Sequence, residues 1–198
     1  MSVLLPTDPA PAEATPSYLD WGGTLRPIFG GALQKLRRLG DRFALSVNMP
    51  PMLSAEDGMT WVARLITARG EGAILPWPQP GFDPGAPGAP KVAQAGQTGT
   101  LLLVSGFSAN YAIREGQFFS IIHGGRRYLH VVAAGANAGS DGMTTLSIRP
   151  MLRVSPAANA ICEFAQPMIE GLLTGDEQSW NLSTARTTGL SFGLQETR

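Results

Sequence analysis

Hydrophobic positions alternate strictly between Asp41 and Met49. Phe43, Leu45, Val47 and Met49 fall on one face; Arg42, Ala44, Ser46 and Asn48 fall on the other. Period two over this length predicts a half-buried strand, which Pro50-Pro51 ends. The same period dominates Gln97 to Arg153. Four strands follow one another there: Thr98–Val104, Gln117–His123, Arg126–Val132 and Met143–Arg149, the last closed by Pro150. Gly124-Gly125 is a two-residue hairpin turn, because a type I′ turn needs positive φ at both positions. It sets a register in which His123 faces Arg126, Ile121 faces Tyr128 and Phe119 faces His130. The other side carries Phe118, Ile122, Leu129 and Val131. A hairpin apolar on both faces lies inside a sandwich or barrel, or under a neighbouring subunit.

One stretch departs from this period. Over Ala55–Ala68, Met59, Val62, Leu65 and Ile66 share a helical face, Ser54 offers an N-cap, Glu56 and Asp57 suit the first turn, and Gly70 suits C′. Shorter strands are predicted at Leu25–Phe29 (an edge strand, because of Pro27), Gly72–Trp77, Asn159–Gln166, from Gly171, and at Leu190–Leu194. The expected fold is mainly β, sandwich-like or barrel-like, with one amphipathic helix packed on a sheet. Residues 1–20, with four prolines before Tyr18, are read as an extended N-terminal arm. Residues 21–90 form an N-terminal β part holding helix 55–68 and a Pro/Gly loop. Residues 91–198 form a barrel or sandwich part whose C-terminal strands are free to return to the first.

Composition narrows the class. Charged residues make up 15% of the 198, against roughly 25% in an average domain. A subunit that buries surface against its own copies needs less charge than a free monomer, so an oligomer is favoured. The net charge of zero gives no field for nucleic acid or membranes. No signal-peptide pattern and no apolar run of ~20 residues is present, which points to synthesis and assembly in the cytoplasm. The single cysteine, Cys162, excludes an internal disulfide and reads as a buried small residue.

Candidate chemistry is sparse. His123 and His130 share a face of the hairpin but stand roughly 13 Å apart, at about 3.3 Å per residue, too far to share a zinc ion. Gly-x-Ser-x-Gly and phosphate-loop patterns are missing. Glu163, Glu170, Asp176 and Glu177 share no motif and read as solvated or loop positions. No cofactor or metal is expected. The one notable cluster is basic: Arg26, Lys35, Arg37, Arg38 and Arg42, a candidate patch for a subunit interface, a lumen or DNA phosphates. It lacks an aromatic platform for single strands.

Three stretches carry a family likeness: Trp21–Arg26 leading to Leu39–Phe43; the hairpin with Thr144–Arg153; and Phe164–Met168 followed by Leu190–Phe192 and Glu196. Together they resemble the distal tail protein and related tail-tip (baseplate) proteins of long-tailed bacteriophages, prophages and gene transfer agents. The likeness covers most of the chain after Trp21; the helix and the Pro/Gly loop lie outside it, so another tail-tip subunit stays open. The resemblance implies a non-catalytic virion protein of sandwich and barrel parts. Six copies would form a ring between the tail tube protein and the tail-tip hub proteins. A small split-barrel enzyme or ligand-binding module is the alternative, and an OB-like nucleic-acid binder a third reading.

Overall fold

The computed structural model describes residues 1–197. The chain is mainly β. Its first part contains β1 (Val3–Leu4), β2 (Glu13–Leu19), β3 (Gly23–Leu25), β4 (Gln34–Leu36), β5 (Arg42–Asn48) and β6 (Met52–Leu53). A π-helical turn (Ser54–Gly58), α1 (Met59–Glu71) and β7 (Ala73–Pro76) follow. A barrel comes next: β8 (Gly88–Val92), β9 (Gly99–Phe107), β10 (Ala112–Ile113), β11 (Phe118–His123), β12 (Arg126–Val132), β13 (Ala136–Asn137), β14 (Thr144–Leu152) and β15 (Cys162–Glu163). β16 (Met168–Leu173), β17 (Trp180–Leu182) and β18 (Thr187–Gln195) return to the first part.

The large sheet has the order β1-β7-β16-β18-β5-β2, with β6 and β17 also on β18. The alternation in β5 falls as expected, with Phe43, Leu45 and Val47 buried. Opposite them, Leu190, Phe192 and Leu194 of β18 face the same core. The segment read as an extended N-terminal arm belongs to this sheet. β2 pairs along its whole length with β5, from Glu13 opposite Asn48 to Leu19 opposite Arg42, and β1 runs parallel to β7. β2 is the edge strand, where Pro16 does not interrupt an inner ladder.

The helix starts differently from its sequence reading. The Ser54 side chain does not cap it; its hydroxyl bonds the Thr188 hydroxyl at 2.8 Å. The helix runs on to Glu71 and stops at Gly72, whose φ of +90° disfavours a side chain. Trp61, Leu65 and Ala68 form the buried stripe, with Trp61 against Phe192 at 6.1 Å between centroids. Met59 and Ile66, expected in the core, face outward at 66% and 57% exposure.

The six barrel strands follow the order β15-β11-β12-β14-β9-β8. A bridge between Lys91 and Ile161, with the Val92 amide donating to the Ala160 carbonyl at 2.9 Å, closes the ring. The hairpin register is the expected one: His123 opposite Arg126, Ile121 opposite Tyr128, Phe119 opposite His130. Phe119 and Ile121 point into the barrel, where Phe119 stacks on Phe164 at 4.4 Å. Phe118, Leu129 and Val131 point out and pack on the sheet's core, Phe118 against Phe43 and Trp77. The chain's own sheet therefore covers the hairpin's second apolar face.

Buried polar groups clamp barrel to sheet. The Glu196 carboxylate, fully buried, accepts from the Phe43 amide at 2.8 Å, the Leu129 amide at 2.9 Å and Arg153 Nη2 at 2.7 Å. Burial raises its pKa above the ordinary value, while Arg153 and the two amides oppose the rise. Glu163 and Glu170, read from sequence as solvated, flank Arg127 instead. Glu170 also accepts from the Arg127 amide and from the Ser2 hydroxyl.

His130 is buried beside Arg153, and its Nδ1 lies 3.0 Å from the Pro150 carbonyl, to which the neutral ring donates. Burial, and secondarily the Arg153 charge, pushes its pKa down to about 3. The unfolded chain binds a proton near the usual ~6.5 that the folded chain refuses, so stability falls as pH drops through that window. A loss of about 2 kcal/mol is expected between pH 7 and pH 5. His130→Gln should flatten this dependence in urea titrations across that range; an unchanged slope would refute the assignment.

Candidate subunit interface

The predicted basic cluster lies on and beside a hairpin that leaves the large sheet between β2 and β5. Strands β3 and β4 pair Gly23 with Leu36 and Leu25 with Gln34. The base is locked by polar contacts. Asp41 accepts from the Tyr18 hydroxyl and the Trp21 amide, both at 2.9 Å. Asp20 accepts from the Gly22 amide and pairs with Lys35. Lys35 and that amide hold the Asp20 carboxyl below its ordinary pKa. A side chain at Gly40 would put its Cβ 2.9 Å from the Trp21 Cβ, so glycine there permits the close crossing at the base.

The five predicted residues divide. Arg26, Arg37 and Arg38 are exposed and have no ion-pair partner among the described residues. Lys35 is taken by Asp20. Arg42 is turned inward: it donates to the Gly40, Glu196 and Thr197 carbonyls and lies over the Trp21 ring at 5.1 Å. It anchors the hairpin base and the end of the chain, so it does not belong to a surface patch.

The sequence reading placed Ile28 and Phe29 in an edge strand, Leu25–Phe29, but β3 ends at Leu25 and these residues form the hairpin turn. Ile28 and Phe29 at its tip are 92% and 99% exposed, and Leu33 is 65% exposed. Pro27 and Gly30-Gly31 break the strand there and leave these side chains no face to bury. A second apolar surface lies on α1. Its outward Met59 and Ile66, with the half-buried Val62 between them, form with Trp180 and Leu182 of β17 a groove of about 510 Å³.

The barrel has its own shallow groove, about 420 Å³, over the seam between β8 and β15. Glu163 lines it, but its carboxylate is occupied by Ser120 and Arg127. Cys162 also lines it; burial pushes its thiol up to about 12. His123, at the hairpin end, accepts from the Ala157 amide through Nδ1 at 3.1 Å. Among the described residues no three His, Cys, Asp or Glu side chains are grouped to hold a metal ion. Among the described residues no helix is long and apolar enough to cross a membrane. No protein-family model matches the chain, and no curated protein matches it.

Proposed function

We propose that this chain is a structural virion protein, a ring-forming subunit that joins a phage tail tube to its tail-tip hub. The observation that supports it best is the hairpin between β2 and β5. Its base is fixed by Asp20, Asp41 and Arg42, while its apolar tip and three unpaired arginines face solvent. A monomer gains nothing from Ile28 and Phe29 in water, and a contiguous exposed apolar surface marks a macromolecular contact. The sandwich-and-barrel architecture and the tail-tip resemblance of the sequence agree with this reading. The subunit works by contact alone, without catalysis, in particles assembled in the host cytoplasm.

Negative-stain electron microscopy of the purified full chain should show closed rings, and labelled antibody should mark the tail tip of particles. Arg37→Glu with Arg38→Glu should reduce ring yield several-fold, since like charges would then face an acidic neighbour. A protein that stays monomeric at every concentration and is missing from particles would end this reading. The rival, a ligand-binding barrel using the seam groove, requires a small molecule retained through purification and visible by native mass spectrometry.

A further inference from the structure

We propose that the hairpin tip of one copy seats in the α1–β17 groove of a second copy, making a head-to-tail contact. The inference rests on the ring reading above and names the surfaces that would build it.

Four observations converge. The tip offers protruding apolar side chains, Ile28, Phe29 and Leu33, that nothing in the chain covers. The groove offers a recess walled by apolar side chains, with Leu182 at 67% and Ile66 at 57% exposure.

The two surfaces also lie at opposite ends of the sheet. β17 pairs with β18 at Thr188, whereas the hairpin leaves beyond Arg42, past the level at which Ala44 faces Gln195. Thr188 and Gln195 are already about 23 Å apart, at roughly 3.3 Å per residue. The tip, at 92% and 99% exposure for Ile28 and Phe29, does not occupy its own chain's groove, and a second copy can supply it.

Charge agrees as well. The hairpin is basic through Arg26, Arg37 and Arg38, while the turn lining the groove carries exposed Glu56 and Asp57. The helix's own arginines are directed elsewhere, Arg64 to the Leu4 carbonyl and Arg69 to those of Gly175 and Glu177. The two acids outnumber Arg186, whose carbonyl holds the Ser54 amide at 2.9 Å.

Contact between two different patches is heterologous, and it closes into a ring when the rotation per copy divides a full turn. The same geometry dictates the test. Phe29→Asp disables the hairpin and leaves the groove; Leu182→Asp disables the groove and leaves the hairpin. Both positions are exposed, so both variants should melt like the parent protein. Each alone should weaken self-association about thirtyfold or more in light scattering behind size exclusion. Mixed, they retain one working hairpin and one working groove and should form a one-to-one dimer that neither forms alone. Rings persisting in either variant, or no dimer on mixing, would overturn the contact and leave the ring reading standing. A parent protein that is monomeric and missing from particles would overturn both.

Discussion

Replacing Glu196 with alanine is expected to lower the unfolding free energy by about 3–5 kcal/mol, the usual cost of breaking a buried ion pair from one side. Glu196 joins three segments distant in sequence. Its carboxylate takes the Phe43 amide from β5, the Leu129 amide from β12 and the guanidinium of Arg153 just after β14. Alanine leaves two amides without an acceptor and strands a guanidinium that is only 5% exposed. Only the Tyr128 ring, 5.5 Å from the guanidinium carbon, would then face Arg153, since its Nε and Nη1 have no hydrogen bond among the described residues. Glu196→Gln should recover only part of the loss: its amide can serve as an acceptor on one side only, and it presents donors to donors on the other. Substituting methionine at both 153 and 196 should cost less than the single alanine, because no buried charge is stranded. Urea denaturation of the four proteins decides it. A single-alanine loss below about 1 kcal/mol, the surface-pair range, would show that the clamp is not what joins barrel to sheet.

Gly171→Val is expected to be of similar severity, about 4 kcal/mol or more, beyond the 1–3 kcal/mol of ordinary overpacking. A Cβ at Gly171 would stand 1.9 Å from the Gln195 carbonyl oxygen and 2.4 Å from its carbon. Both atoms are backbone, so no rotamer change relieves the clash. Gln195 cannot retreat without losing its register opposite Leu172 and Ala44. The next residue is Glu196, so the bare glycine lets the end of β18 cross β16 closely enough to deliver that carboxylate. The two losses should therefore combine to less than their sum. Gly189→Ala is the control: it has nothing within 4 Å of the added carbon and should shift the thermal midpoint little. A Gly171 variant that melts with the control would refute the crossing.

How much of this was legible depends on how local each signal is. The β5 strand and the β11–β12 register follow from period two and one Gly-Gly turn, and both stand as read. The helix was legible as an element, but α1 carries two apolar stripes. Of the stripe read as core, Leu65 is buried and Val62 packs against the core, whereas Met59 and Ile66 face out and Trp61 and Ala68 take their place. Only the shape of the sheet beneath selects between them. The prolines before Tyr18 suggested an extended arm rather than a sheet strand, because edge position, which makes Pro16 harmless in β2, is a tertiary fact. Barrel closure rests on one bridge at Lys91 and Ile161, too short to leave a pattern. Arg42 and Glu196 have partners far away in sequence, and no spacing reveals them. At the candidate interface, the charges were visible by type. The apolar tip was read as the end of an edge strand, Leu25–Phe29, whereas the chain turns after Leu25.

The placement of the barrel has a consequence for how such a chain can change. β7 and β16 are neighbours in the sheet, with Pro76 opposite Met168, and the Trp77 amide donates to the Pro167 carbonyl at 2.8 Å. The polypeptide leaves for the barrel and comes back through one doorway two strands wide. A domain of another size or specificity could enter and leave between these two positions with the strand pairing of the sheet kept, provided it covers the sheet's core as Phe118, Leu129 and Val131 do. The sheet, helix and basic hairpin then form a constant chassis, and the barrel a replaceable cartridge tied down by Glu196.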